Sequence, residues 1–158
     1  MRKFDSKRKG FTLVELLIVI VVIGILSAMM MLSSSEAVSS ARATTIVADL
    51  RNLKTAMLAF YTDNIDNANT TPPTLATILP YLTSATTEDE LTKAGYGVTT
   101  GDAGWFVQCK VQGTNVAKIR TKLQGRAAST GLLKEAKVPT TSDTRVYAGG
   151  DTVFMYVR

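Results

Sequence analysis

The chain opens with a polar segment and then changes abruptly to an apolar one. Residues 11–32, FTLVELLIVIVVIGILSAMMML, contain a single charged residue, Glu15. About 20 apolar residues rising 1.5 Å each span the hydrocarbon core of a bilayer as one helix. The pattern therefore predicts a transmembrane helix. A cleaved secretory signal peptide is the alternative, but its apolar core covers only about 7–15 residues.

Residues 33–62 continue the helical pattern without a Pro or a Gly. Their apolar positions recur three and four residues apart, which places them on one stripe of an α-helix. The stripe consists of Ile46, Leu50, Leu53, Met57 and Phe60. We therefore predict one long N-terminal α-helix over about 11–62, roughly 78 Å in length. Its first half is apolar all round, and its second half is apolar on one face.

The rest of the chain, 63–158, alternates turn-forming residues with short helical and strand-like runs. The segment 63–73, DNIDNANTTPP, ends the long helix. We predict a short helix over 75–82, a strand over 105–111 and a helix over 116–128 that begins at Asn115 as N-cap. The last residues, RVYAGGDTVFMYVR, predict a hairpin that turns at Gly149 and Gly150. The predicted fold is α+β, with a small antiparallel sheet packed against the amphipathic half of the long helix.

The net charge of +5 lies almost entirely in the first ten residues, which hold five basic residues and one acidic residue. A basic segment before an apolar helix stays in the cytoplasm, so the chain beyond residue 32 is expected outside. The chain has no His, and Cys109 is its one cysteine. These counts exclude a His-based triad, a zinc finger and a disulfide framework. Because the sequence also contains no nucleophile and base pattern or phosphate loop, we do not expect an enzyme.

The junction between the basic and apolar segments carries the most specific motif of the chain. Gly10 is followed by Phe11 and then TLVELLIVIVVIGIL, with Glu15 at the fifth place after Gly10. Over residues 7–32 this resembles the N-terminus of type IV pilins and their pseudopilin relatives. The resemblance implies cleavage between Gly10 and Phe11 by a prepilin peptidase, N-methylation of Phe11, and polymerisation into a helical filament. It divides the chain into a leader, a transmembrane and filament-core half of the helix, an amphipathic half, and a globular head (1–10, 11–32, 33–62 and 63–158).

Glu15 needs a partner because a lone carboxylate near the bilayer core costs about 2.5–3.5 kcal/mol. Cleavage creates an α-amino group on Phe11, and the resemblance implies that a neighbouring chain supplies this amine during assembly. Neutralisation of Glu15 by protonation near the interface is the alternative. Gly24 matches the family and is expected to serve assembly. Many relatives have a Pro where this chain has Leu32, so we expect a straighter helix in the precursor and leave its state in the filament open.

The resemblance also implies partners and a location. The chain is expected to be a single-pass precursor in the inner or cytoplasmic membrane and a subunit of a cell-surface pilus after assembly. Its partners would be further copies of itself, the prepilin peptidase, an inner-membrane assembly platform, minor pilins and, before assembly, membrane lipid. A major pseudopilin of a type II secretion system and a monomeric single-pass receptor are the alternatives. Twitching, adhesion, DNA uptake and secretion stay open as roles of the fibre.

Charge in the head is segregated along the sequence. Residues 63–102 hold six acidic residues and one basic residue, whereas residues 110–137 hold seven basic residues and one acidic residue. In a polymer, the acidic region of one head could face the basic region of the next; two solvated surfaces are the alternative. The residues concerned are Lys118, Arg120 and Lys122 on one side and Glu88, Asp89 and Glu90 on the other. The basic region could instead bind DNA phosphates, although no base-reading motif accompanies it.

No cofactor is expected, but one segment has oxygen ligands that suit calcium. The ligands are Asp63, Asn64, Asp66, Asn67 and Asn69. Their order does not match an EF-hand loop, and the same residues are typical of turns. A turn is therefore the alternative to a calcium site.

Overall fold

The computed structural model describes residues 10–65, 73–83, 86–101, 104–137 and 146–158. It divides into two compact units, Met1–Glu36 and Ala37–Arg158, which are treated separately below. Helix α1 covers Leu13–Asp63 and contributes to both units. The predicted long helix over 11–62 is therefore confirmed to within two residues at each end. The predicted leader, apart from Gly10, lies outside the described residues.

In the first unit, the apolar side chains of α1 face outward all round the helix. The exposed fraction of its large apolar side chains before Glu36 runs from 47% at Val22 to 86% at Leu13. This stretch is long and apolar enough to cross a membrane, and none of it is buried inside the chain. A helix in the core of a soluble protein would be mostly buried, so the exposed side chains point to an apolar environment outside this chain.

In the second unit, α1 forms one wall of a hydrophobic core. Ile46, Leu50, Leu53 and Met57 are buried, and Phe60 packs partly buried against them. The predicted stripe is thus confirmed. The sheet supplies the opposite wall through side chains that are at most 4% exposed, namely Val107, Cys109, Val153 and Met155.

In the described residues, four antiparallel strands form one sheet in the order β1-β2-β4-β3. The strands are β1 (Tyr96–Gly101), β2 (Gly104–Lys110), β3 (Leu132–Leu133) and β4 (Thr152–Tyr156). Strand β2 confirms the strand predicted over 105–111. Strands β1 and β3 were not predicted.

The predicted hairpin about Gly149 and Gly150 is wrong. Of the residues before the turn, those from Val146 onward are described; none of them pairs with β4, and Val146 instead forms an isolated bridge with Leu133 of β3. The Tyr147 hydroxyl donates a hydrogen bond to the Gly150 carbonyl at 2.6 Å, which closes a local turn with the ring buried. Strand β4 pairs with β2 on one side and, at Phe154 and Met155, with β3 on the other, so β3 takes the place that the first strand of the hairpin would have had.

Short helices complete the second unit. Helix α2 covers Leu75–Ile78, and a 3₁₀ turn over Leu79–Tyr81 extends it, which confirms the predicted helix over 75–82. The acidic residues 88–90 form the first turn of α3 (Glu88–Lys93), which was not predicted. Thr87 caps α3, and its N–H donates to Glu90 Oε2 at 3.0 Å.

Helix α4 covers Val116–Thr130, close to the predicted 116–128. Asn115 occupies the predicted N-cap position, but its side chain makes no capping hydrogen bond. Its φ of 58° lies in the left-handed region, which Asn tolerates better than most residues. The expected capping mechanism is therefore wrong, and Asn115 instead provides a backbone turn into the helix.

A partly buried polar contact joins α1 to the sheet. The Tyr96 hydroxyl donates to Asp49 Oδ2 at 2.5 Å, and Tyr96 lies opposite Cys109 in the pairing of β1 with β2. Burial, together with the nearby Asp49 charge, raises the pKa of the Cys109 thiol from 9.0 to about 12. Burial and the hydrogen bond to Asp49 also raise the pKa of Tyr96 above its usual value of 10.0. Both groups are therefore neutral in the folded chain well into the alkaline range.

This cluster predicts a loss of stability at alkaline pH. Because both pKa values are higher in the folded chain, the unfolded chain releases its protons first as the pH rises. The stabilisation is complete below the unfolded pKa and declines from about pH 9 for Cys109, whose folded pKa is about 12. Each group lowers the free energy of unfolding by up to about 1.4 kcal/mol per pH unit. Denaturant titration in detergent, followed through the single tryptophan Trp105, measures this decline.

The variant C109A provides the control for this prediction. It should remove the part of the decline that begins near pH 9 and keep the part that begins near pH 10, the usual pKa of tyrosine. An unchanged pH profile in C109A would contradict the assignment to the thiol.

Candidate functional site

The predicted cleavage point lies just before the first residue of α1. Gly10, Phe11 and Thr12 precede the helix, and Phe11 is 89% exposed. A Cβ placed on Gly10 would meet no atom within 4 Å, so the fold of this chain does not require a glycine there. The peptide bond between Gly10 and Phe11 is therefore exposed and lies outside the helical hydrogen-bond ladder. Both properties suit a protease that binds extended backbone.

Thr12 and Glu15 form a capping box at the start of α1. The Thr12 N–H and the Thr12 hydroxyl both donate to Glu15 Oε2 at 2.9 Å. In return, the Glu15 N–H donates to Thr12 Oγ1 at 3.2 Å. This arrangement satisfies backbone donors that the helix itself leaves unpaired. Thr12 is absent from the predicted site residues, although Thr-x-x-Glu before an apolar run is a recognisable capping signature.

The capping box also bears on the predicted role of Glu15. Both side-chain bonds reach Oε2, and a carboxylate has further acceptor positions on its other oxygen, Oε1. Phe11 has no free amine while Gly10 precedes it, so the predicted ion pair can form only after cleavage. Glu15 thus lies one helical turn from the predicted new N-terminus, and its Oε1 can still accept a hydrogen bond.

Gly24 lies in the apolar half of α1 with open space around it. A Cβ at this position would meet no atom within 4 Å. Glycine in a helix interior costs about 1 kcal/mol relative to alanine. No contact among the described residues of this unit requires a glycine here and so explains that cost. The predicted assembly role of Gly24 stays a prediction. The side chain of Leu32 lies outside the description.

The residues predicted for intersubunit charge contacts lie on two separate helices. Glu88, Asp89 and Glu90 are exposed on the first turn of α3, which packs against β1. Lys118, Arg120 and Lys122 lie on α4. Within the chain, Arg120 forms an ion pair with Asp151. The structure places the three acidic residues on one helical turn of α3 and the three basic residues on α4, where Arg120 lies on a different face from Lys118 and Lys122.

The predicted calcium ligands are only partly described. Asn64 Nδ2 donates to the Phe60 carbonyl at 2.9 Å, so this side chain closes the end of α1. Asp66, Asn67 and Asn69 lie outside the described residues. Among the residues that are described, no three His, Cys, Asp or Glu side chains come together as a metal site. Calcium binding stays a prediction.

The capping box predicts a measurable effect on the start of α1. T12A removes the hydroxyl that accepts from the Glu15 N–H, which destabilises the first turn by about 1 kcal/mol. The Glu15 amide should then exchange its hydrogen about fivefold faster, because about 1.4 kcal/mol corresponds to a factor of ten. Hydrogen exchange of the chain in detergent micelles measures this rate. T12S retains the hydroxyl and is the control, and equal exchange in both variants would contradict the capping role.

Comparison with known proteins supports the motif at this site. A family model described as the prokaryotic N-terminal methylation motif matches residues 5–31. A solved structure of the major type IV pilin from Clostridium difficile is similar at 19% identity and a TM-score of 0.47, over 77% of this chain and 98% of that one. No curated protein sequence matches the chain at a significant level. The chain carries the N-terminal methylation motif, which confirms the resemblance of its N-terminus to type IV pilins and pseudopilins.

Proposed function

We propose that the chain is a pilin, a structural subunit that is cleaved between Gly10 and Phe11, methylated on Phe11 and polymerised into a type IV pilus. One observation carries this proposal: the methylation motif over residues 5–31 includes the start of a helix whose apolar side chains are exposed on all sides. The head has its own buried core on the second half of the same helix. A chain of this kind can keep its head folded while its apolar half moves from one apolar environment to another.

The size of the apolar surface limits where that half can go. Between Leu13 and Leu26 there are twelve Leu, Ile or Val residues. Moving them from hydrocarbon into water would cost on the order of 18–36 kcal/mol, at roughly 1.5–3 kcal/mol each. The helix can therefore leave the membrane only into another apolar environment. A bundle of identical helices provides one, and this is the physical basis for polymerisation.

Glu15 then acts as the contact that sets the position of one chain against the next. After cleavage, the ammonium of Phe11 is the nearest cation that identical chains can offer. The capping box already holds one oxygen of Glu15, so the carboxylate is oriented before the partner arrives. A charge-assisted hydrogen bond in an apolar bundle is directional, whereas the surrounding apolar contacts are not. Several axial positions of one helix against the next would bury a similar apolar area, and the ion pair would select one of them.

The predicted partners follow from this cycle. A prepilin peptidase would cleave and methylate the chain at the cytoplasmic face. An inner-membrane assembly platform and minor pilins would receive it from the lipid. DNA binding has no support beyond the basic residues of α4. The same features would also serve a major pseudopilin, whose filament stays short.

The first experiment tests processing and assembly together. The mature protein should begin at Phe11 and carry one added methyl group in its intact mass. In G10L, a bulky side chain at the exposed cleavage point should block processing, so that the precursor accumulates. G24A, a second glycine variant with equally open surroundings, should be processed normally and is the control.

Electron microscopy of the cells completes this experiment. Long surface fibres that contain the chain support the pilus, and short filaments confined to the envelope support the pseudopilin. A native protein that keeps its leader and is never found in filaments would overturn the proposal in favour of a single-pass receptor.

The second experiment separates the charge of Glu15 from its capping role. E15Q keeps a side-chain oxygen that can complete the capping box but removes the negative charge. Loss of a charge-assisted bond of about 1.5–3 kcal/mol should reduce filament incorporation about ten- to hundredfold. Comparison of sheared filaments with the membrane fraction measures incorporation. T12A loses the capping hydroxyl but keeps the negative charge of Glu15, so it should enter filaments more efficiently than E15Q. Less efficient incorporation of T12A than of E15Q would contradict the proposed pair.

A further inference from the structure

Contacts between α1 and the chain around strand β2 define two ends of the head. Trp105, at the start of β2, packs edge-on against Tyr61, with 6.0 Å between the ring centroids. Gly113, beyond the other end of β2, lies beside Arg42, and a Cβ on it would be 3.4 Å from Arg42 Nη2. We call the end around Arg42 the proximal end and the end around Tyr61 the distal end. Because Arg42 comes before Tyr61 in α1, the chain enters the head at the proximal end.

Three cations lie around the first turns of α1 at the proximal end. Arg42 and Lys110 line one cleft of about 210 Å³, and both side chains are exposed. Arg126 donates to Thr44 Oγ1 at 2.5 Å and to Ser40 Oγ at 3.3 Å. These hydroxyls are neutral, so the hydrogen bonds hold Arg126 in place without cancelling its charge.

The carboxylates near this end do not cancel all three charges. Asp49 lines the same cleft, is half-buried and accepts from the Tyr96 hydroxyl, so it offsets one cation. Asp151 forms an ion pair with a further cation, Arg120. Glu36, which precedes the head, also has an interaction within the chain. The proximal end therefore keeps a surplus of positive charge.

Arg42 and Lys110 are the members of this cluster that a partner can reach. Within the part of the chain that the structure describes, neither side chain has an ion-pair or hydrogen-bond partner. Arginine binds phosphate through two parallel N–H donors, and lysine binds it as a point charge. A partner that carries phosphate groups therefore suits the proximal end.

The position of Arg42 in the chain favours lipid phosphate. Arg42 follows Leu32, the last residue of the apolar segment, by ten residues, or about 15 Å of helix. The headgroup layer occupies roughly 5–8 Å of that distance, and a long side chain on a helix leans toward the N-terminus of the helix. Val38 lies four residues before Arg42 on the same face and is 57% exposed. Apolar and basic side chains thus follow one another in the order in which a bilayer offers hydrocarbon and phosphate.

We propose that, before assembly, Arg42 and Lys110 bind lipid phosphates on the head's side of the membrane and hold the head against its surface. This inference rests on the membrane-bound precursor of the proposed function and makes no use of the filament. Each Lys or Arg near an anionic membrane surface favours the contact about fivefold. The charge of Arg126 adds to the local positive potential behind the two exposed cations.

The contact exists only while the chain is in the membrane, so it breaks when the chain leaves the lipid. Charge interactions decay over about 8 Å at physiological ionic strength. A rise of about two helical turns, at 5.4 Å each, therefore separates the cations from the phosphates. The head is held at the surface before assembly and is released early in extraction.

Energy transfer from a dye on the head to labelled lipid headgroups tests this contact. The dye is attached to T114C, in the exposed loop after Gly113, and the full chain is reconstituted in vesicles. Transfer should be higher with about one-third phosphatidylglycerol than with phosphatidylcholine alone, and about 1 M NaCl should remove the difference, because the Debye length then falls to about 3 Å. A dye on T100C, which pairs with Trp105 at the distal end, should show no such change. The parent chain, whose Cys109 is buried, is the labelling blank.

Two double variants locate the cations responsible. R42Q with K110Q should lower the ratio of docked to free heads about 25-fold, at about fivefold for each cation removed. R51Q with K54Q makes the same charge change further along α1, about 14 and 18 Å beyond Arg42, and should lower the ratio less than about twofold. The unfolding curve of Trp105 shows whether each variant is folded.

The outcomes separate this inference from the proposed function. A chain that does not insert into the vesicles would overturn the membrane-bound precursor and with it the proposed function. Insertion with equal transfer in both kinds of vesicle, or equal losses in the two double variants, would overturn the head contact alone. Loss of the transfer on addition of inorganic phosphate at constant ionic strength would show that the cations bind free phosphate, which also overturns the contact with lipid.

Discussion

One helix has to satisfy two different environments, and the rest of the molecule follows from this constraint. In the head, α1 buries its apolar stripe against the sheet through residues such as Leu50 and Met57. Before Glu36, the same helix has apolar side chains on every face and no partner within its unit. Burial is favourable wherever water is excluded, and it does not depend on direction. In the proposed filament, the first half would therefore exchange lipid for sibling helices while the head keeps its own core.

The start of α1 carries a polar group whose bonds are directional, unlike the apolar contacts of the rest of this half. A carboxylate in an apolar segment is costly, and the Thr12 hydroxyl and N–H offset part of that cost locally. The same bonds fix the orientation of Glu15. Cleavage after Gly10 would then create a cation one helical turn away on every copy. In the proposed cycle, this local capping motif would orient Glu15 for a contact that the precursor cannot yet make, because the precursor lacks the Phe11 amine.

Features determined by local sequence could be predicted, and features determined by distant partners could not. The extent of α1 and the strand β2 follow from hydrophobic periodicity. The hairpin prediction failed because β4 pairs with β2 and β3, which lie more than 15 residues away in the chain. Strand β1 was missed because it contains Gly97 and Gly101, and glycine has a low strand propensity. At Gly101 a Cβ would overlap the Ala136 carbonyl, so the close approach of that segment requires a glycine. Both missed caps, Thr12 with Glu15 and Thr87 with Glu90, show the same Thr-x-x-Glu signature and could have been found.

The charge pattern of the head is a second feature whose outcome depends on distant partners. The sequence shows an acidic block followed by a basic block, and either could have folded onto the same surface and neutralised the other. The fold places Glu88, Asp89 and Glu90 on the first turn of α3, whereas four of the basic residues lie on α4. Arg120 pairs with Asp151, which belongs to neither block, and Arg126 donates hydrogen bonds to Thr44 and Ser40 of α1. A block of like charges in the sequence therefore does not show which partners its members take, because the tertiary structure decides which side chains meet.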